Sequence, residues 1–175
     1  MSPLGSEYDQ IQSASTIDLF KAYGDLGTDD KLALLYYVYE KMGGSITPAA
    51  PEATDLNLVE PLAQSIYGQS HEEQLNVMRE IVDRADTPAS RTYGGLTPNN
   101  QLLTWYVWAE EMGRRVVDMP NGYEATDAVR QLLNKIEGLE FQEQISLLRE
   151  AASQMGYSEV GPAPTQAETG VTPSL

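Results

Sequence analysis

The sequence predicts an all-α protein. Helix start and stop signals punctuate the chain, no segment alternates apolar and polar residues at period two, and one helical stretch is written twice. Leu32-Ala-Leu-Leu-Tyr-Tyr-Val-Tyr-Glu-Lys-Met-Gly43 returns as Leu102-Leu-Thr-Trp-Tyr-Val-Trp-Ala-Glu-Glu-Met-Gly113. Leu32, Tyr36, Glu40, Met42 and Gly43 recur as Leu102, Tyr106, Glu110, Met112 and Gly113, an offset of 70 residues.

Each element has a local reason. Residues 1–14 are polar and poorly patterned and read as an N-terminal arm, although Ile11 can pack. Thr28 ahead of Asp29-Asp30 reads as an N-cap followed by acids that suit the positive end of the helix dipole. That helix runs to Gly43-Gly44, a natural left-handed stop. Val59, Leu62 and Ile66 form a periodic run closed by Gly68. Ser70-His-Glu-Glu73 is a capping box opening a helix that ends near Asp86-Thr-Pro88. Thr97-Pro98 supplies a cap with Pro at the first helical position, opening the second aromatic helix. Gly138 and Gly156 come after two further apolar runs. From Ser158 to Leu175 the chain lacks periodic apolar residues and is expected to be a disordered tail.

The duplication extends beyond the aromatic helices without a gap. Val59, Leu62, Ile66 and Gly68 match Val129, Leu132, Ile136 and Gly138, and Glu73, Gln74, Arg79 and Glu80 match Glu143, Gln144, Arg149 and Glu150. Thirteen identities fall between residues 29–85 and 99–155, where random pairing would give roughly three or four. Two half-bundles related by pseudo-symmetry are the economical architecture, spanning residues 15–157 as one domain. Ligand sites in helical proteins form between facing helices, at the join of such halves.

Composition removes several function classes. The formal net charge is −15 over 175 residues, which argues against a nucleic-acid binder, since phosphates must be met by Lys and Arg. Only Lys21, Lys31 and Lys41 are basic before Arg79. No apolar run is long enough to span a membrane, and Met1–Gln10 has neither the basic residues nor the apolar core of a secretory signal. With no cysteine, disulfides, zinc–thiolate sites and a Cys nucleophile are absent. A cytoplasmic location fits. The single histidine, His71, sits in a capped first turn and reads as solvated; it has no Ser–His–Asp or metal-ligand set around it. Glu72-Glu73 and Glu110-Glu111 are adjacent and diverge on a helix, so neither is a carboxylate dyad. The chain is not expected to be an enzyme.

The candidate site lies on the doubled helix. Leu32, Leu35, Tyr36, Tyr39 and Met42 share one face, and Leu102, Trp105, Tyr106, Ala109 and Met112 share the equivalent one. Such stripes are either the seam of a helical core or the walls of an apolar slot. Ala109 opposite the position of Tyr39 leaves room, and Tyr and Trp with flexible Met suit a flat, polarizable, elongated guest. Arg79 and Arg149 occupy matching places, each before a Glu. They read either as surface pairs within their own helices or, for Arg149, as a contact for a partner.

Asp86-Thr-Pro-Ala-Ser-Arg-Thr-Tyr93, Thr97-Pro-Asn99 with Trp105-Tyr106, Ile46-Thr-Pro-Ala-Ala-Pro51 and Pro120-Asn-Gly-Tyr123 together resemble the N-terminal, carotenoid-binding domain of the cyanobacterial orange carotenoid protein family, over roughly residues 15–157. The resemblance implies two interleaved four-helix bundles holding one ketocarotenoid of the canthaxanthin, echinenone or 3'-hydroxyechinenone type. By matching position it adds Leu75, Met78, Pro48, Met119 and Tyr123 to the two stripes as pigment-lining residues. It gives Arg149 the role of docking on the phycobilisome and, in full-length members, of holding the two domains together. Three departures stand out: Tyr36 replaces a tryptophan, Ala109 a glycine, and Glu150 a neutral residue.

The resemblance stops where full-length members continue into an α/β domain, a pattern similar to the stand-alone helical carotenoid proteins. Light-driven switching within one chain is therefore not expected; a separate carrier resembling the missing domain would have to supply it. The implied function is a monomeric, soluble photoprotective protein that quenches singlet oxygen and carries its pigment, located near the thylakoid membrane or phycobilisome. Glu150 and the net charge weigh against direct quenching of phycobilisome excitation, because like-charged surfaces repel. A pigment-free helical adaptor is the alternative of a different class.

Overall fold

The computed structural model describes residues 16–42, 54–119 and 123–159. The predicted arm (1–14), residues 160–175 of the predicted tail, Gly43-Gly44, Pro48 and Pro120–Gly122 lie outside the described residues. Among the described residues every extended element is a helix: α1 (16–24), α2 (Thr28–Met42), α3 (Leu56–Ser65), α4 (His71–Val82), α5 (Pro88–Gly94), α6 (Pro98–Glu111), α7 (Asp127–Glu137) and α8 (Phe141–Ser153). The one β-type feature among them is an isolated bridge between Met112 and Val116.

Local caps account for most helix starts. Asp55, Ser70, Thr87, Thr97 and Thr126 each accept a backbone N–H from the first turn they precede, satisfying a donor with no partner inside the helix. Thr28 departs from its expected role. It is the first residue of α2 rather than its cap, and its hydroxyl donates to Asp83 Oδ1 at 2.5 Å, tying α2 to the end of α4. Gly68 takes the left-handed conformation expected of a helix stop, whereas Gly138 closes α7 with φ −79°.

The helices α5 and α1 are not among those the sequence predicts. The signal for α5 was present, since Thr87-Pro88 is the same cap-and-proline pair as Thr97-Pro98. For α1 the signal was the repeat itself: Tyr23, Gly24 and Leu26 match Tyr93, Gly94 and Leu96 at the offset of 70. Helices α1–α4 thus correspond to α5–α8. Each is short, and stability comes from the buried face rather than from helix propensity. In α1 that face is Leu19, Phe20 and Tyr23.

The two halves exchange an element. Helix α2 packs on α4 of its own half and on α7 of the other, while α6 packs on α8 of its own half and on α3 of the other. The apolar stripes of α3 and α7 drive this, with Val59, Ile66, Val129 and Ile136 all at most 1% exposed; burying a side chain of this size contributes about 1.5–3 kcal/mol. Two buried glutamines repeat with them. Gln74 Nε2 donates to the Ile66 carbonyl at 3.0 Å, and Gln144 Nε2 donates to the Ile136 carbonyl at 2.9 Å. Each adds a side-chain donor to a carbonyl at the end of α3 or α7 that also accepts the backbone N–H of Gln69 or Leu139.

Candidate functional site

Helices α2 and α6 touch where Tyr39 meets Tyr106 edge-on, with ring centroids 5.5 Å apart. Beside this contact lies a partly open cavity of about 1080 Å³, counted with the solvent-continuous space at its mouth. Its wall takes Leu32, Leu35, Tyr36 and Tyr39 from α2, Leu75 and Met78 from α4, and Leu102, Trp105, Tyr106 and Ala109 from α6. Met112, Met119 and Tyr123, which come after α6, complete it. Thirteen of the fifteen residues singled out from the sequence therefore surround one space. Of the other two, the side chain of Met42 and all of Pro48 lie outside the described residues.

The segment after α6 is folded onto the cavity by specific bonds. Gly113 turns the chain at φ +81°, a conformation that favours glycine. Its N–H donates to the Val116 carbonyl at 2.9 Å. Gln74 clamps the next stretch of chain, donating to the Arg115 carbonyl at 2.9 Å and accepting the Val117 N–H at 2.6 Å. Val117, Asp118 and Met119 reach the wall in this way. Tyr123 is anchored from the opposite side, its hydroxyl donating to Asp30 Oδ1 at 2.7 Å.

The sequence reading missed some of the wall. Ala33, Val38, Trp108 and Leu148 line it as well as belonging to the core. Leu148 is the repeat partner of Met78, so the offset pointed to it; Val117 and Asp118 carried no such signal. Trp108 meets Trp105 edge-on at 5.2 Å and donates its indole N–H to the Ala63 carbonyl at 3.1 Å.

Three charged residues border the cavity: Asp29, Arg79 and Asp118. Arg79 holds Asp29 with two hydrogen bonds of 2.8 and 3.1 Å, and both residues border the cavity. The pair joins α4 to α2, while a longer bond of 3.4 Å to Asn76 Oδ1 stays within α4. At the matching place of the second half, Asn99 stands for Asp29, and Arg149 donates to its side-chain oxygen at 3.3 Å. Arg149 lies off the cavity wall, and no carboxylate forms an ion pair with it among the described residues. His71 is exposed at the first position of α4. Among the described residues no His, Cys, Asp and Glu side chains are grouped as metal ligands, and no helix is long and apolar enough to cross a membrane.

The cavity tyrosines are held neutral. Burial, the hydrogen bond to Glu40 and the Asp118 charge push the Tyr36 phenol up to about 12. Its repeat partner Tyr106 is raised by burial and by Glu110 in the same way, and Tyr39 and Tyr123 are raised chiefly by burial. The unfolded chain releases these protons near pH 10, so between about pH 10 and 12 the folded state binds more protons and stability falls as pH rises. Denaturant midpoints are expected to hold up to about pH 10 and to drop beyond it. Tyr36→Phe should flatten that drop, as monitored by circular dichroism.

Comparisons with known proteins agree on one family. Residues 9–158 match the family described as orange carotenoid protein, N-terminal. An orange carotenoid-binding domain-containing protein of Nostoc sp. is 44% identical over 144 residues, covering 82% of each chain. The orange carotenoid-binding protein of Synechocystis sp. is 36% identical over 137 residues, which make up 78% of this chain but 43% of that one. Among solved structures, the Red Carotenoid Protein of Anabaena (Nostoc) sp. binding canthaxanthin superposes with a TM-score of 0.72 at 31% identity, covering 82% of this chain and 99% of that one. The Orange Carotenoid Protein of the same organism, also binding canthaxanthin, gives 0.73 at 30% identity, with coverage of 82% and 47%. This chain, all-helical and built around an aromatic cavity between its two halves, belongs to the orange carotenoid protein family and corresponds to that family's N-terminal domain.

Proposed function

We propose that this protein binds one ketocarotenoid in the cavity between α2 and α6, protects against light by quenching singlet oxygen, and carries the pigment in water. The observation that carries this is the cavity itself. Fully interdigitated helix seams leave few voids larger than a water molecule, whereas here the doubled aromatic stripes border one partly open cavity together with residues of α4 and of the segment after α6. The lining fits an elongated apolar guest: mostly aliphatic and aromatic side chains, with Asp29, Arg79 and Asp118 the charged residues among them. Canthaxanthin, bound by two relatives of the same fold, is a guest of that kind.

Leu32, Leu35, Leu75, Met78, Leu102, Met112 and Met119 would remove apolar surface from water, at about 25 cal/mol per Å² less ordering costs. Tyr36, Tyr39, Trp105, Tyr106 and Tyr123 would supply polarizable faces that fix one conformation. Ala109 keeps the space open. The bound ketocarotenoid supplies the photochemistry, accepting excitation from singlet oxygen and releasing it as heat; the protein supplies solubility, orientation and contacts.

Expression in a host that makes ketocarotenoids tests the reading. The purified protein is expected to be orange to red, with its visible band shifted from that of the free pigment. A colourless protein would instead favour the pigment-free adaptor.

Direct quenching of phycobilisomes is the second reading, and the observation in its favour is Arg149, whose side-chain partner Asn99 brings no charge to offset the guanidinium. Glu150 beside it and the net charge of −15 oppose docking on an acidic antenna. Phycobilisome fluorescence is therefore expected to stay unchanged when the pigment-loaded protein is added at stoichiometric ratio. A strong drop would reverse the order of the two readings.

A further inference from the structure

Trp105 is an aromatic residue of the cavity wall whose ring is hydrogen-bonded from behind. Its indole N–H donates to the Tyr93 hydroxyl at 2.9 Å, and that hydroxyl donates in turn to the Ala152 carbonyl at 2.6 Å. Tyr93 is fully buried and does not border the cavity. Burial pushes its phenol well up, so the proton it gives to Ala152 is retained.

Tyr93 is itself locked from two sides. Its backbone carbonyl accepts Gln101 Nε2 at 3.1 Å, one turn before Trp105 on α6. Gly156, at φ +84°, runs so close that an added Cβ would lie 2.5 Å from the ring atom Cδ1 of Tyr93. The chain is held there by two backbone bonds, from the Gly156 N–H to the Ile81 carbonyl at 2.8 Å and from the Tyr157 N–H to the Ser90 carbonyl at 3.0 Å.

The first half of the molecule provides an internal control. Tyr23 is the repeat partner of Tyr93 and is also buried, but Leu35 stands where Trp105 stands and its side chain has no N–H to give. The Tyr23 hydroxyl donates to the Lys31 carbonyl at 3.3 Å instead. One duplicated tyrosine thus steadies the fold, while its twin also aims a cavity ring.

We propose that Tyr93 is a positioning residue for the pigment site: through its hydroxyl it fixes the plane that the Trp105 indole presents to the cavity. The inference rests on the proposed carotenoid site. A ring free to rotate about χ1 and χ2 would offer the guest several environments, whereas a hydrogen-bonded one offers a single environment.

Tyr93→Phe is the test, with Tyr23→Phe as its matched control. In pigment-free protein, the Trp105 indole N–H is expected to exchange slowly with solvent in the wild type and in Tyr23→Phe, and to lose that protection in Tyr93→Phe. In loaded protein, Tyr93→Phe should shift or broaden the visible band and release pigment about tenfold faster, the loss expected for one buried hydrogen bond. Tyr23→Phe should leave the band in place. An unchanged band and unchanged exchange in Tyr93→Phe, or equal band shifts in both variants, would overturn the proposal. Should Tyr93→Phe fail to fold, a benzothienylalanine at position 105 removes the same N–H while keeping the ring shape. It must reproduce the band shift, and a wild-type band would sink the idea. A wild-type protein that takes up no ketocarotenoid would instead defeat the site reading, leaving the exchange experiment to decide the role of Tyr93.

Discussion

Trp105→Ala is expected to strip the protein of most of its pigment and to destabilise the pigment-free fold by about 3–5 kcal/mol, the range for truncating a large buried aromatic. Trp105 is 8% exposed, stands edge-on to both Tyr93 and Trp108, and borders the cavity. Its removal therefore acts twice. The core loses the ring contacts with Tyr93 and Trp108, and the guest loses a polarizable wall. A domain of this size has about 5–15 kcal/mol to lose, so the variant should still fold, with its midpoint lowered by roughly 10 °C. Absorbance per protein after expression with ketocarotenoid, and thermal unfolding without it, separate the two effects. Wild-type pigment content and spectrum in Trp105→Ala would mean that the slot has been placed wrongly.

Ala109→Phe should do the reverse: abolish loading while sparing the fold. Ala109 occupies the place that Tyr39 fills in the other half, and it borders the same space. A phenyl ring there would extend into a cavity that is empty of side chains, so in the pigment-free protein it should cost little and can even add apolar burial. The same ring would compete with the guest for volume, and overpacking costs about 1–3 kcal/mol, a roughly ten- to hundredfold loss of retention. A colourless protein with an unchanged or raised melting midpoint is the expected result. If Ala109→Phe retained full colour, the guest would not pass between α2 and α6.

Much of the site was legible because its information is local. Leu32, Leu35, Tyr36 and Tyr39 recur at three- and four-residue spacing, which alone places them on one helix face. Repeat matching then carried the pattern to Leu102, Trp105, Tyr106 and Ala109. Leu75, Met78, Met119 and Tyr123 came only from family resemblance; the first two stand on α4, and the last two lie in the chain after α6, which bonds between distant segments hold in place, Gln74 to Arg115 and Val117 and Tyr123 to Asp30. The two arginines show the same limit. Identical Arg-Glu pairs gave no hint that Arg79 holds a carboxylate across the cavity rim while Arg149 holds an amide away from it.

By itself, then, the sequence determined the helical class, the caps at Ser70 and Thr97, the 70-residue duplication and the two aromatic faces, since each depends on residues a few positions apart or on a fixed offset. Only the tertiary structure decided that Thr28 bonds Asp83, that Arg79 reaches Asp29 on α2, and that Tyr93 and Tyr23 part company. Those outcomes depend on which side chains meet across the core. A donor such as the Trp105 indole must find its acceptor once water is gone, and neither helical periodicity nor the repeat says which acceptor that will be.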